Sequence, residues 1–198
     1  MKVVTILGSP KKKGKTAQAL DLFETNFRAK GHEVERIILV DHQIKGCVGC
    51  YSCMNKNDAP GCVLKDDAVS IFEKIILADV VVYASPIYCF DFTSQFKTFI
   101  DRHWCLTQNF GTSYASSNIE GKKVALLITC MGTAEENADL AQEIFDRSMK
   151  GVLKCSIVGK YVIPRSETPY FRDRAKTTIE QLEKEILMIV YDTLEKVG

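Results

Sequence analysis

The sequence predicts a doubly wound α/β domain, a five-stranded parallel sheet in the order 2-1-3-4-5 with helices on both faces. Three observations predict it. Short β-branched or apolar runs alternate with segments of helical spacing five times along the chain. The inner runs are apolar throughout, as strands covered on both faces must be. No internal repeat or low-complexity stretch interrupts the alternation, so the crossovers must be right-handed and the whole of 1–198 reads as one domain. In such a sheet ligands sit at the carboxyl ends of the strands, near the switch point between strands 1 and 3.

The elements follow in order. Val3 to Leu7 is a buried first strand that ends in Gly8-Ser9-Pro10. Thr16 to Lys30 places Ala17, Leu20, Phe23 and Phe27 on one helical face, with Gly31 as its stop signal. Glu33 to Val40 is the second strand. Residues 41–65 form a cysteine-rich loop too long to be a plain connection. Asp66-Asp67 then opens a helix with carboxylates at the positive end of its dipole, and Val69, Phe72, Ile75 and Ile76 line one face as far as Leu77. Val80 to Ala84 is the third strand, ended by Ser85-Pro86. Phe92 to Arg102 is helical. Residues 103–121 are polar and without periodicity, a long loop over the same rim. Lys123 to Thr129 is a strand, Ala134 to Lys150 a helix, Lys154 to Ile163 the last strand and Tyr170 to Lys196 the closing helix.

Composition narrows the functions. At 198 residues the chain buries roughly 70% of its unfolded surface without staples. A net charge of +1 gives no electrostatic ground for a nucleic-acid or membrane partner. The start Met1-Lys2-Val3-Val4 has too short an apolar run for a signal peptide, and Ile75 to Ala84 is half the length of a spanning helix, so a cytoplasmic protein is expected. Eight cysteines are the outlier, and without a secretory signal they favour metal or redox chemistry over a disulfide framework.

Three loops carry the candidate chemistry. The first, Gly8 to Thr16, offers hydroxyls, backbone N–H groups and a helix N-terminus to an anion. It misses the nucleotide P-loop pattern, because five residues separate Gly8 from Gly14 and Pro10 removes one N–H. A phosphate monoester suits it better; a solvated lysine turn is the plain alternative. The second loop, Ser85-Pro86-Ile87-Tyr88-Cys89-Phe90, can wall a flat ring, although residues such as Tyr88 and Phe90 are more often core than cofactor wall. The third, Thr129 to Thr133, offers small and polar groups at the same rim.

These pieces together, Gly8-Ser9-Pro10 with Gly14-Lys15-Thr16, Cys50-x-x-Cys53 through Cys62-Val63-Leu64-Lys65-Asp66-Asp67, and Ser85-Pro86-Ile87-Tyr88 through Lys97-Thr98-Phe99-Ile100-Asp101-Arg102, resemble the NAD(P)H-dependent FMN reductases and flavodoxin-like oxidoreductases, including the iron–sulfur flavoproteins. The likeness runs over almost the whole chain. It implies a flavodoxin-like three-layer sandwich in which Ser9, Lys11, Gly14, Lys15 and Thr16 hold the FMN phosphate. Ser85, Pro86, Ile87, Tyr88 and Phe90 border the isoalloxazine, joined by Thr129 and Gly132. Three positions depart from the family pattern: Lys15 where relatives often have Asn, Cys89 where many have an aromatic, and Met131 where a small residue is usual.

Cys47-x2-Cys50-x2-Cys53-x8-Cys62 can wrap thiolates around a [4Fe–4S] cluster. Iron–sulfur flavoproteins use a compact motif of that kind with a shorter last gap. Structural thiols, a zinc site or a redox disulfide remain open for the same residues. Cys89, Cys105, Cys130 and Cys155 have no ligand spacing, and Cys155 is expected as a buried small hydrophobe. His32, His42 and His103 form no acid–base arrangement and are expected at the surface.

The expected function is an FMN-dependent NAD(P)H oxidoreductase with no protein acid or base, passing electrons from NAD(P)H to a small-molecule or protein acceptor. The resemblance implies a homodimer or homotetramer. Two alternatives stand beside it: an electron-transfer flavoprotein with a [4Fe–4S] cluster and no small-molecule substrate, and a nucleotide-binding protein using the 8–16 loop.

Overall fold

In the computed structural model, which describes residues 1–54 and 60–195, five parallel strands form one sheet. They are β1 (Lys2–Leu7), β2 (Glu33–Ile38), β3 (Val80–Pro86), β4 (Lys123–Thr129) and β5 (Ser156–Ile163), in the order β2-β1-β3-β4-β5. The register sets Leu7 beside Ala84, and Pro86 beside Thr129, so the carboxyl ends of β1, β3 and β4 open on one edge. Residues 55–59 of the cysteine-rich loop and Lys196 of the expected last helix lie outside the described residues.

Period-2 alternation divides the strands between two cores. Val4, Ile6, Val81, Tyr83, Val124 and Leu126 face α2 (Ala68–Leu77), α3 (Ser94–Asp101) and α4 (Asp139–Asp146). Val3, Leu7, Val80, Val82, Ala84 and Leu127 face α1 (Lys15–Ala29) and α5 (Phe171–Glu195). Thr5 shares that second face, and its hydroxyl donates to the buried Glu24 of α1 at 2.6 Å. Among the described residues no helix is long and apolar enough to cross a membrane.

Several boundaries differ from the sequence reading, each for a local reason. β2 stops at Ile38, and Leu39–Asp41 turn as a 3-10 helix. α3 starts at Ser94 and not at Phe92, because the Thr93 hydroxyl accepts the Phe96 N–H and fixes the first turn. α4 starts at Asp139, five residues late, since Glu136 sits at φ 55, outside helical space. The left-handed Lys154, at φ 55, likewise delays β5 to Ser156. The expected loop 103–121 holds a 3-10 turn at Arg102–Leu106 and a two-residue antiparallel ribbon, Thr107–Gln108 against Ser116–Ser117.

One expectation about polar groups is extended and one is corrected. Asp66 has a second role beside the expected one: Oδ1 accepts the N–H of Ala68, the first residue of α2, at 3.1 Å, and the carboxylate also pairs with the buried Arg102, with Oδ2 2.5 Å and Oδ1 3.1 Å from the guanidinium. His103 is buried and not superficial, sealed between Phe72, Tyr83 and Phe99. Its Nδ1 lies 2.8 Å from the Phe99 carbonyl, so that nitrogen is the donor, and Nε2 then accepts from the Tyr83 hydroxyl at 3.0 Å. Burial pushes its pKa down to about 4, so the ring is neutral at pH 7. His32 and His42 are half-buried.

Candidate functional site

The three loops singled out in the sequence meet at the carboxyl edge of β1, β3 and β4, and hydrogen bonds fasten each to the other two. The first leaves β1 at Gly8, whose N–H donates to the Ala84 carbonyl at 2.8 Å and whose carbonyl accepts the Thr93 hydroxyl at 2.5 Å. Only glycine fits there. A Cβ would come within 2.4 Å of Cδ2 of Phe96 in α3.

Beyond Gly8 the chain curls on itself. The Lys11 N–H donates to Oγ of the buried Ser9 at 3.1 Å, and the Gly14 N–H donates to the Lys11 carbonyl at 3.0 Å. A Cβ on Gly14 would sit 3.0 Å from Lys11 Cβ, so the curl is as tight as a side chain allows. The first helical bond of α1 is Gln18 N–H to Gly14 O, at 3.0 Å. The N–H groups of Lys15, Thr16 and Ala17 therefore precede any intrahelical acceptor and lie at the positive end of the helix. Lys11, Lys12 and Lys13 are exposed beside them, with Lys12 paired to Asp41. The Lys15 ammonium lies 4.7 Å over the ring of Phe171, the first residue of α5.

The second and third loops complete the edge. The Ile87 N–H donates to the Thr129 carbonyl at 2.9 Å, and the Thr16 and Thr129 hydroxyls meet at 2.7 Å, both buried. Ser85 is buried, donates to the Pro86 carbonyl at 2.9 Å and accepts the Thr93 N–H at 3.5 Å. Tyr88 and Asp91 exchange backbone bonds of 2.8 and 3.1 Å around Cys89 (φ 49) and Phe90 (φ 66). That is a type I′ turn made without glycine, and it throws both aromatics outward: Tyr88 is 46% and Phe90 58% exposed. The core alternative for these two rings is thus set aside. In the third loop the Arg165 N–H donates to the Gly132 carbonyl at 2.9 Å and the Ser166 N–H to the Cys130 carbonyl at 2.9 Å, tying it to the end of β5. Met131 projects from it, 75% exposed. A groove of about 310 Å³ borders the edge, lined by Val40, His42, Ser94 and Gln95 among others.

Thr93 is the residue that the sequence reading missed. It caps α3 and ties loop two to loop one in a single side chain. Its signal was present: a threonine directly before a helical run is a start mark.

The cysteine segment lies along the same side of the sheet as α3. Cys47 and Cys50 are exposed, while Cys53 and Cys62 pack against the core. Burial raises the Cys53 thiol pKa, and the thiols of Cys62, Cys47 and Cys50 add to it in smaller measure. Burial, with Cys62 and Cys53, pushes Cys105 up to about 12. Among the described residues, no three Cys, His, Asp or Glu side chains converge closely enough to hold one ion. The four thiols match a cubane cluster in ligand type and not in placement. Cys155 is buried, as expected.

Comparison with known proteins adds the following. The family model described as NADPH-dependent FMN reductase matches residues 1–163. An iron–sulfur flavoprotein of Archaeoglobus fulgidus is 39% identical over 102 residues, 52% of this chain and 45% of that protein. One of Methanocaldococcus jannaschii is 36% identical over 102 residues, 52% of this chain and 50% of that protein. The chain thus spans about half the length of these curated relatives. Among solved structures, an NAD(P)H:quinone oxidoreductase from Methanothermobacter marburgensis superposes with a TM-score of 0.69 at 18% identity, covering 91% of this chain and 92% of that one. At that identity the likeness shows the shared fold.

Proposed function

The chain belongs to the NADPH-dependent FMN reductase family, and from that premise we propose that it holds FMN on the three-loop edge and acts as an NAD(P)H-dependent oxidoreductase. The observation that carries the reading is the closed set of bonds among the loops: Thr93 to Gly8, Ile87 to Thr129, and Thr16 to Thr129. Three loops so fastened present a prearranged edge, and prearrangement lowers the ordering cost of binding.

In this reading the free N–H groups of Lys15, Thr16 and Ala17, with the Ser9 hydroxyl and the Lys11 ammonium, receive the phosphate. Gly14 keeps the backbone near enough to do so. The Thr16 hydroxyl turns from Thr129 to the anion, or shares it. Tyr88 and Phe90 wall the ring, the backbone of Pro86 and Ile87 lies along its edge, and Thr129 and Gly132 leave room beneath it. Bound FMN supplies hydride acceptance from NAD(P)H and electron delivery to a small-molecule or protein acceptor. The protein binds, orients and limits access, and no side chain is required to carry a proton.

A cytoplasmic location accords with NAD(P)H as donor and with cysteines that are all unpaired among the described residues. Homo-oligomerisation is part of the proposal, because Phe110 and Tyr114 are exposed aromatics of the kind that association covers. The nucleotide alternative has little to stand on. Its lysine is engaged on Phe171, and two loop N–H groups are turned onto the loop itself.

The test is direct. The purified protein should carry, or take up, one FMN per chain and oxidise NAD(P)H in the presence of a quinone or an azo dye; a chain that binds no FMN at micromolar concentration refutes the proposal.

A second reading is favoured by the spacing of Cys47, Cys50, Cys53 and Cys62, in a chain whose relatives are named iron–sulfur flavoproteins. The four thiols would ligate a [4Fe–4S] cluster and make the chain an electron carrier. Iron and sulfide measured per chain after anaerobic purification decide it. Four of each per chain support the cluster, and their absence removes it.

A further inference from the structure

We infer that two copies of this chain associate about a two-fold axis, each seating its Tyr114 ring in a cavity of the other beside Trp104. The inference deepens the homo-oligomer reading, on which it rests, and does not depend on the flavin.

At the end of α3 away from Thr93 lies an open cavity of about 140 Å³, lined by Ile100, Trp104, Val152 and Leu153 with the polar Asp101 and Ser148 among them. One wall is the end of α3 and the 3-10 turn after it. The other is Arg147–Val152, where α4 widens into a π-helical turn, a rare element that often marks a functional place. A cavity of about 150 Å³ takes one benzene ring, so this one has room for a single-ring side chain.

Beside it stands such a ring. Tyr114 is 81% exposed, more than any other large apolar side chain among the described residues. A ring on a loose loop would lose freedom on docking, but this one is carried by a braced ribbon. Thr107–Gln108 pair with Ser116–Ser117, and the Thr112 hydroxyl donates to the Asn109 carbonyl at 2.7 Å and accepts the Tyr114 N–H at 3.2 Å. The Lys154 ammonium holds the Ala115 carbonyl. Residues 107–117 carry no charge, so covering the ribbon strips no ion of its water, and the cores of interfaces are depleted of charge for that reason.

Ring and cavity lie side by side. Leu153 of the cavity wall precedes Lys154, whose ammonium reaches the residue after Tyr114, and Phe110 of the ribbon stands edge-on to Trp104 with 4.7 Å between ring centroids. Within one chain the Tyr114 ring is in solvent and leaves the cavity open. A two-fold contact requires ring and cavity on one face, because each copy then gives its ring and receives the other's in the same encounter. Tyrosine also suits the cavity chemically: its ring covers the apolar wall, and Asp101 or Ser148 can accept its O–H.

Analytical ultracentrifugation of the full chain over the micromolar range measures association, with thermal unfolding as the folding control. Tyr114→Ser removes the ring and Val152→Phe fills the cavity. The serine variant carries the test alone if the other does not fold, since substitution of so exposed a residue leaves stability nearly unchanged. Loss of one buried anchor ring weakens binding roughly 30-fold or more. Each variant by itself loses both contacts of the dimer and associates about 1000-fold more weakly than wild type. Mixed, the two regain one contact, Tyr114 of the Val152→Phe copy in the intact cavity of the Tyr114→Ser copy, and associate roughly 30-fold more tightly than either alone. Trp104, the chain's one tryptophan, emits further to the red in Tyr114→Ser, because water re-enters the cavity. An oligomer whose affinity neither variant changes overturns this inference and leaves homo-oligomerisation standing, and a mixture no tighter than its parts overturns the reciprocal seating. A wild-type chain that stays monomeric overturns both. None of these measurements involves FMN, so this inference and the flavin proposal fail separately.

Discussion

The bond between the Thr16 and Thr129 hydroxyls can be tested by a double-mutant cycle. Both side chains are buried, at 1% and 2% exposure, and the oxygens are 2.7 Å apart. Thr16→Val keeps the shape, removes one hydroxyl and strands the other out of reach of water, at a cost of about 1–3 kcal/mol. Taking the middle of that range, the melting temperature of the FMN-free protein falls by roughly 4–8 °C for a chain of this size. Thr129→Val costs a similar amount for the mirror-image reason. The double variant removes donor and acceptor together and strands neither, so it lies at least about 1 kcal/mol above the sum of the singles. Urea unfolding of all four proteins measures the coupling. Flavin fluorescence titration supplies the functional arm. If Thr16 turns to the phosphate, its loss removes one charge-assisted bond of about 1.5–3 kcal/mol, a factor of roughly 10–150 in FMN affinity. Costs that merely add would show that the two hydroxyls share no bond and that the edge is not fastened as described. Unchanged FMN affinity in Thr16→Val would remove Thr16 from the phosphate site.

Tyr88→Ala and Phe90→Ala should leave unfolding free energy within about 0.5 kcal/mol of wild type, because both rings are exposed, while weakening FMN binding. A loss of stability without a loss of affinity would return them to a structural role. Stability should also depend on pH through His103. Its folded pKa of about 4 lies below the ordinary 6.5, so between these values the unfolded chain binds the extra proton. The stabilisation is complete above pH 6.5 and is lost as pH falls towards 4, by about 3 kcal/mol in total. His103→Gln flattens that part of the profile in urea titrations at pH 4.5 and 7.5; an identical slope in wild type and variant would show that His103 is not the group responsible.

The sheet was readable because β1, β3 and β4 are short and largely apolar, and because the edge position of β2 shows in its mixed Glu33-Val34-Glu35-Arg36 pattern. The site was readable to the extent that its residues follow strands directly: Ser9, Thr16, Ser85, Ile87, Thr129 and Gly132 lie on or beside one edge because the register puts Leu7, Ala84 and Leu127 in line. What was not readable depended on contacts between distant parts of the chain. Nothing in the sequence around His103 says that Tyr83, twenty residues earlier, supplies its partner. Nothing near Asp66 says that its carboxylate, besides accepting the first N–H of the helix it precedes, pairs with an arginine thirty-six residues on. Tyr88 and Phe90 were ambiguous for a different reason. Their direction is set by two left-handed backbone angles at positions 89 and 90, where the residues are Cys and Phe and not the glycine or asparagine that would have announced the turn.

The two candidate centres are linked through one short helix. Thr93, at the start of α3, holds Gly8 at the proposed flavin edge, and Arg102, just past its end, holds the cysteine segment. Nine residues of helical rise separate them by roughly 14 Å. One turn past Thr93 lies Phe96, fully buried, whose ring occupies the space that a side chain on Gly8 would need. Gly8→Ala therefore cannot be absorbed at the edge alone. The new methyl group meets Phe96 at 2.4 Å, and relief requires α3 to move as a unit, because its other face is packed on Phe72 through Phe99. Overpacking of this kind costs about 1–3 kcal/mol. The shift should weaken FMN binding and, through Arg102, alter how the cysteine segment is held. Cysteine alkylation at Cys62, mapped by mass spectrometry on the FMN-free protein, would then rise in Gly8→Ala although Gly8 touches no cysteine. An unchanged alkylation rate beside a measurable loss of stability would show that the edge and the segment respond independently and that α3 does not couple them.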